Sequence, residues 1–203
     1  MSLNIAVIDD HGLTHAGLKL LFDKTADYKI VAHIRSGAEV MPFLDATTVD
    51  IILLDLGLPD ISGESLLTEL IGQKDMTVII LTGQNKPQAF DYALKMGVRA
   101  IVSKSDPIQL IKTAIETARE GELYISPTIK KLLKGFTSHD VSLSPRQMGI
   151  LHLIREGHSN KEIGYRLKIS APTVTFHITE IRKKLGVKSN QQIISRAKDL
   201  KVL

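Results

Sequence analysis

The 203-residue chain has no cysteine and no tryptophan, and its only other aromatic residues are four Tyr and five Phe. Without cysteine there can be no disulfide, no thiolate metal centre and no Cys nucleophile, an absence that fits a reducing cytoplasm. No segment approaches the ~18 uninterrupted apolar residues of a membrane span. The opening MSLNIAVIDDHG puts no cationic stretch ahead of its short apolar run, so no secretory leader is expected. Yet 43% of the residues are hydrophobic, too many for wholesale disorder. Membrane protein, disulfide-rich secreted module, zinc-thiolate protein and disordered chain are all set aside.

What is present is divided by charge. Residues 1–120 hold 11 Lys and Arg against 16 Asp and Glu, a net of −5; residues 121–203 hold 15 against 6, a net of +9. Two bodies with different partners are implied, and the basic one suits a polyanion. Glu120-Gly121-Glu122 closes a helical pattern, and Gly135–Ser142 is polar and turn-rich. The expected organisation is a front domain over 1–120, a linker with one short helix over 121–141, and a back domain over 142–203.

Five apolar runs recur in the front: Asn4–Ile8, Lys29–Ile34, Asp50–Leu54, Thr77–Leu81 and Arg99–Val102. Three of them are continuous and rich in Ile and Val, as in strands buried on both faces. Helical patterns lie between them, so the front is expected to be α/β, a doubly wound parallel sheet of five strands. Polar residues follow the strands: Asp9 and Asp10 after the first, Asp55 after the third, Thr82 on the fourth, Ser103 and Lys104 on the fifth. Ligands of open α/β sheets bind beyond the carboxyl ends of the strands, so three carboxylates, a hydroxyl and an ammonium converge there. Carboxylates so placed repel one another unless a cation sits among them. Hard oxygen ligands favour Mg2+ over zinc. With Mg2+, a Lys and a hydroxyl around it, Asp55 is the best candidate to accept a phosphoryl group. His11 and His15 flank the acidic pair and read as polar surface.

VIDD, LLDLGLPDISG, ILTG and VSKSDP, over about residues 3–120, resemble the receiver domain of bacterial response regulators. The resemblance implies that Asp10 and Asp55 bind Mg2+ directly, that Asp9 assists through water, and that Gly57 lends a backbone carbonyl. It implies that Thr82 is the switch hydroxyl, that Lys104 contacts the phosphate, and that Pro59 and Gly63 shape the turn after the acceptor. An aromatic residue is frequent in that family three positions before the Lys; here it is Ile101.

The back body begins with a helix start, Ser144-Pro145, and Gly157 ends that helix. Ser159 with Glu162 three residues on is a capping box. Ser170 caps a third helix that runs to about Leu185, with Gly186 as its stop, and Gln191–Leu200 forms a fourth. This is a small all-α domain with a helix-turn-helix. On the third helix Val174, Ile178, Ile181 and Leu185 share one face, and Thr175, Phe176, Thr179, Arg182 and Lys183 lie on the other. Small hydroxyls, a ring and cations suit base edges and phosphates. Thr173, Lys161 and Lys184 complete the candidate DNA contacts. LSPRQ, EGHSNKEIGYRL, ISAPTV, FHI and KKLGV resemble the LuxR-type helix-turn-helix of the NarL/FixJ regulators.

Together these features predict a two-component response regulator rather than a turnover enzyme. A sensor histidine kinase or a small phosphodonor modifies Asp55. The protein then binds double-stranded promoter DNA, expected as a homodimer, in the cytoplasm and without a membrane partner. Electrostatic attraction between the two bodies makes their release, or dimerisation, the expected response to phosphorylation. Two alternatives remain at this point. One is an orphan regulator that binds DNA without phosphorylation. The other is an Asp-nucleophile phosphohydrolase, which would ordinarily need its two acids one residue apart, not adjacent as Asp9 and Asp10 are.

Overall fold

The computed structural model describes residues 2–71, 76–134, 136, 143–200 and 203. Residues 135 and 137–141 of the expected linker, and residue 142 at the start of the expected back domain, lie outside the described residues. In the front body β1 (Leu3–Ile8) leads into α1 (Gly12–Phe22), and β2 (Tyr28–Ile34) into a 3-10 turn and α2 (Val40–Ala46). Next, β3 (Ile51–Leu54) leads into α3 (Gly63–Leu70), β4 (Thr77–Thr82) into α4 (Pro87–Lys95), and β5 (Ala100–Ser103) into α5 (Leu110–Arg119). A last pair, β6 (Tyr124–Ile125) and α6 (Pro127–Leu133), follows. The sheet is parallel throughout, in the order β2-β1-β3-β4-β5-β6.

The five strands expected from the sequence are therefore joined by a sixth. β6 has only two residues, too few to carry a hydrophobic pattern, and the register Ala100↔Tyr124 and Ile101↔Ile125 defines it. The Ser103 N–H donates to Ser126 Oγ at 3.0 Å, and Thr128 Oγ1 donates to Asp106 at 2.7 Å, so residues 124–128 are bound to the edge of the sheet.

Strand alternation divides the core into two layers. Ala6, Ile8, Ile52, Leu54, Val78, Ile80 and Ile101 face one side, with Leu66, Leu67 and Phe90 from α3 and α4. Ile5, Val7, Ile51, Leu53, Ile79, Leu81 and Val102 face the other, with Leu18, Ile111 and Ile115 from α1 and α5. Each such fully buried side chain contributes about 1.5–3 kcal/mol relative to exposure. Covering both faces holds β1 and β3 side by side at the point where the strand order reverses, and their carboxyl ends open on one crevice.

The back body comprises α7 (Pro145–Arg155), α8 (Asn160–Arg166), α9 (Ala171–Leu185) and α10 (Asn190–Asp199). Its helix starts are written in the sequence. Ser144 with Gln147, Ser159 with Glu162 and Ser189 with Gln192 form complete capping boxes, and Ser170 caps α9. Gly186 ends α9 at φ 68°, a left-handed conformation that glycine adopts without a Cβ clash. Val174, Ile178, Ile181 and Leu185 are all buried, as their spacing requires.

The two bodies touch through α3 and α4 on one side and α7 and α8 on the other. Gly149 allows the closest approach: a Cβ there would lie 2.3 Å from Thr68 Cγ2. The Tyr92 ring meets the His152 ring at 4.1 Å between centroids, and the Tyr92 hydroxyl is hydrogen-bonded to Thr68 Oγ1. Ser62 Oγ donates to Glu156 Oε1 at 2.6 Å, Ser65 Oγ donates to the same oxygen, and Arg166 pairs with Glu69 at 2.5 Å. Arg166 stays 30% exposed, so its pair contributes at most about 1 kcal/mol. The contact thus combines ring packing, hydroxyl–carboxylate bonds and an ion pair.

His152 is 3% exposed, and neither ring nitrogen has a hydrogen-bond partner. Burial, with a smaller push from Arg155, lowers its pKa from 6.5 to about 3. The docked form thus holds a neutral imidazole. Its contribution is complete above pH 6.5 and is lost as pH falls from there toward about 3. Small-angle scattering should show the two bodies separating more at about pH 5.5 than at about pH 7.5, and His152→Phe should remove that difference. An unchanged scattering profile across this window in the wild type would refute the coupling.

Candidate functional site

Three strand ends build the acidic pocket. Asp9 follows β1, Asp55 follows β3, and Lys104 follows β5. Asp9 and Asp55 are 1% and 3% exposed, which is unusual for carboxylates and requires a partner. Lys104 supplies it: Nζ lies 2.5 Å from Asp55 Oδ2 and 2.8 Å from Asp9 Oδ2. The lysine is aimed by its own backbone, whose N–H donates to the Thr82 carbonyl at 2.8 Å. The Gly57 N–H donates to Asp55 Oδ1 at 3.0 Å, which holds the acceptor carboxylate from its other side. A Cβ at Gly57 would come within 3.6 Å of both Asp55 oxygens, so glycine leaves the pocket mouth open.

The remaining predicted residues fall into place around this centre. Asp10 is one-third exposed at the rim. Thr82 is fully buried, and its Oγ1 accepts from the Gln84 N–H at 3.0 Å. Ile101 is also fully buried, in the layer beneath α4. His11, read as polar surface near the site, is 61% exposed and sits at the pocket's rim, with Nδ1 2.7 Å from Asp10 Oδ1 and 3.0 Å from Asp9 Oδ1. His15 instead stacks on His33 at 4.2 Å, and His33 Nε2 contacts the Asp9 carbonyl oxygen at 2.7 Å. Burial beside His33 lowers the His15 pKa.

The donor set fits a divalent cation. Asp9, Asp10, His11 and Asp55 each offer one ligand atom, all within 4.8 Å of one another. Asp10 Oδ1 and Asp9 Oδ2 are buried and make no hydrogen bond of good geometry, although each has a cationic or imidazole neighbour. Oxygens held in this way are ready to coordinate.

The loop after Asp55 carries the pocket toward the second body. Burial tends to raise the Asp60 pKa, but hydrogen bonds from the Gly37 N–H, the Ser36 hydroxyl and the Ala38 N–H outweigh it and hold the group at about 2. Two residues on, Ser62 caps α3 and also binds Glu156 of the second body. Tyr92, His152, Ser62 and Glu156 were not singled out in the sequence. Each has an ordinary helix or cap position, and only the docked partner gives it a role.

On the second body, Thr175, Phe176, Thr179 and Lys183 are exposed on one face of α9, with Phe176 at 61%. Thr175 and Thr179 donate their hydroxyls to the carbonyls four residues back, which leaves acceptor lone pairs and methyl groups pointing outward. Asn160 Nδ2 donates to Thr175 Oγ1 at 3.1 Å and ties α8 to this face. Lys161 is exposed at the start of α8, and Thr173 is half-buried against the Ser170 cap. Three of the expected cations are engaged within the chain: Arg182 donates to Asn190 Oδ1 at 2.8 Å, Lys183 to Glu180 Oε1 at 2.8 Å, and Lys184 to Gln147 Oε1 at 2.8 Å. The face that bears Phe176 is thus open to solvent while the two bodies are docked.

Comparison with known proteins agrees with both halves. Residues 5–116 match the family described as response regulator receiver domain, and residues 141–197 match bacterial regulatory proteins of the luxR family. The chain is 31% identical over 198 residues to the transcriptional regulatory protein UhpA of Escherichia coli, covering 97% of this chain and 98% of the relative. It is 33% identical over 191 residues to the nitrate/nitrite response regulator protein homolog of Haemophilus influenzae, covering 92% of each. Among solved structures, RcsB from Salmonella enterica serovar Typhimurium bound to a promoter aligns with a TM-score of 0.64 at 21% identity, over 97% of this chain and 98% of that one. The response regulator ChrA aligns with a TM-score of 0.54 at 25% identity, over 100% and 99%.

The charge cluster makes a stability prediction. Lys104→Met leaves Asp9 and Asp55 buried without their cation and should cost about 3–5 kcal/mol, whereas Asp55→Asn relieves repulsion and should hold or raise stability. Urea denaturation of the purified full chain measures both, and a Lys104→Met protein as stable as wild type would contradict the prediction.

Proposed function

The chain belongs to the response regulators that join a receiver domain to a LuxR-family DNA-binding domain, and on that premise we propose that Asp55 is the residue that accepts the phosphoryl group and so controls DNA binding. The observation that carries this reading is Lys104 Nζ bridging Asp55 and Asp9. One ammonium there offsets the buried charge before transfer and is positioned to pair with phosphoryl oxygens afterwards. Asp55 attacks the phosphorus of a donor, a phosphohistidine of a sensor kinase or a small acyl phosphate, and the donor leaves with the bonding pair. Asp9, Asp10, Asp55 and the Gly57 carbonyl are the residues that would hold Mg2+, whose charge supports transfer when bound. The Thr82 hydroxyl, now accepting from Gln84, re-aims toward the new phosphoryl oxygens and draws the loop with it.

The output follows from the loop after Asp55. A change at Gly57 is two short turns from Ser62, and Ser62 holds Glu156 of the DNA-binding domain. Phosphorylation therefore loosens the docking of α7 on α3. Since the outer face of α9 is already exposed, release does not uncover the recognition helix; it frees two copies to place their helices on adjacent half-sites of one duplex. Binding as a homodimer gains affinity through effective concentration. A regulator of promoter DNA that takes its phosphate from a kinase works in the cytoplasm. The orphan reading is disfavoured because it leaves the buried Asp55–Lys104 pair without a use, and the phosphohydrolase reading lacks the Asp-x-Asp spacing, since Asp9 and Asp10 are adjacent.

Asp55→Asn should take up no phosphoryl group from a small acyl phosphate with Mg2+, while the wild type gains one by intact mass spectrometry. A phosphorylated Asp55→Asn protein would overturn the assignment.

DNA contacts divide by chemistry. Lys161 and Lys183 reach phosphates, which gives affinity with a steep salt dependence. Phe176 and the threonine methyls suit thymine methyl groups, which favours A·T-rich half-sites read partly through shape. In binding measured across salt concentrations, Phe176→Ala should lose roughly 1–3 kcal/mol of discrimination between sites with its salt slope unchanged. Lys183→Ala should weaken all sites alike and lower the slope. A G·C-rich site selected from random DNA would reject this reading of the helix.

A further inference from the structure

We propose that Asn160 of α8 is a positioning residue for sequence reading: it locks the rotamer of Thr175 on α9, so that Thr175 offers DNA a fixed methyl group instead of a hydroxyl free to turn. The inference rests on the reading of α9 as the helix that enters the major groove. Thr175 lies exposed on the outer face of that helix, next to Phe176. Its hydroxyl donates to the Ala171 carbonyl at 3.1 Å, and the same oxygen accepts from Asn160 Nδ2, also at 3.1 Å.

Counting protons fixes the direction of both bonds. A threonine hydroxyl has one proton, and the Ala171 carbonyl can only accept it. Whatever faces the hydroxyl from α8 must therefore donate, so the Asn160 amide stands with its nitrogen toward Thr175 and its oxygen away. Threonine in a helix divides between two rotamers where valine keeps one. Only the rotamer that holds Oγ1 toward α8 meets Asn160, so this bond selects it, and the methyl takes the other branch position.

The donor itself is held in place. Ser159 caps α8 immediately before Asn160, in a box closed by Glu162. At its other end α8 turns tightly into α9: a Cβ at Gly164 would lie 2.7 Å from the Ile169 carbonyl oxygen. Ile163 on α8 and Val174 and Ile178 on α9 are buried. Thr179 supplies the contrast. It bonds back to the Thr175 carbonyl in the same way, yet among the described residues no side chain of another helix donates to its oxygen. The C5-methyl of thymine is what a fixed methyl recognises, whereas a turning hydroxyl pairs with more than one base edge and reads less.

Binding of the full chain, treated with a small acyl phosphate and Mg2+, to a site selected from random DNA tests this. Each thymine of a half-site is replaced in turn by uracil, which removes only the methyl. The wild type should lose about fourfold in affinity at the thymine that Thr175 meets, the effect of one buried methyl-sized group. Thr175→Ala identifies that thymine by abolishing the loss there. Asn160→Ala should shrink the loss at the same thymine to less than about twofold, with the salt slope unchanged because no phosphate contact is removed. Thr175→Val keeps both branch positions in a single rotamer without a partner, so it should retain the loss, and adding Asn160→Ala to it should change nothing. A loss undiminished in Asn160→Ala, or diminished equally in the Thr175→Val background, would overturn the role of Asn160 and leave α9 as the reading helix. If Thr175→Ala alters no uracil replacement, Thr175 reads no methyl and the inference fails. If the wild type selects no site, the reading of α9 fails together with it.

Discussion

Two buried carboxylates within reach of one ammonium set the terms for the rest of this molecule. Asp9 and Asp55 come from neighbouring parallel strands, and Lys104 arrives from a strand two places further along the sheet. Desolvated carboxylates this close repel strongly unless a cation joins them. Lys104 thus stabilises the arrangement and also holds the positive charge that a phosphoryl group on Asp55 would need. The same repulsion makes the pocket, with Asp10 at its rim, a place that would hold a divalent cation. Stability and chemistry here are one electrostatic problem, solved by bringing β1, β3 and β5 to a common edge.

What this site can transmit depends on the short loop that leaves it. Gly57 touches Asp55, Asp60 is pinned to the turn before α2, and Ser62 both caps α3 and binds Glu156 of the other domain. Held at both ends, this loop ties the Asp55 pocket to the domain boundary through a few residues. The boundary itself is a patch of local contacts. It joins a neutral buried histidine, a tyrosine ring, two serine hydroxyls on one carboxylate and a half-exposed ion pair, with Gly149 setting the approach. The opposite net charges of the two domains suggested electrostatic attraction, and the Arg166–Glu69 pair is one such contact across the boundary. The exposed outer face of α9 stays clear of the boundary, so docking of the two domains leaves it uncovered.

Much of this was legible in the chain before any coordinates. Continuous Ile and Val runs marked buried parallel strands, because covering both faces of a sheet removes the usual alternation. The polar residues that follow those runs marked the crevice, because strand ends in such sheets lie together. Ser144, Ser159 and Ser170 marked helix starts, because a hydroxyl there satisfies backbone donors that nothing else can reach. Each of these signals is local: a residue and its near neighbours are enough to express it.

Other features had no local signal. β6 is two residues long and exists only because β5 offers an open edge. His11 is surface, as expected, but only the turn after β1 brings its Nδ1 within reach of Asp9 and Asp10. Arg182 has the helix position of a DNA contact, yet its guanidinium is held by Asn190 of α10. Tyr92, His152 and Glu156 acquired their roles from a partner domain more than fifty residues away in the chain. The sequence by itself determined the two domains, their helix starts, the buried strands and the residue types at the crevice, since hydrophobic period and capping act over a few residues. Tertiary structure alone decided which polar groups meet, because ion pairs, ring contacts and ligand shells depend on distances that only packing sets.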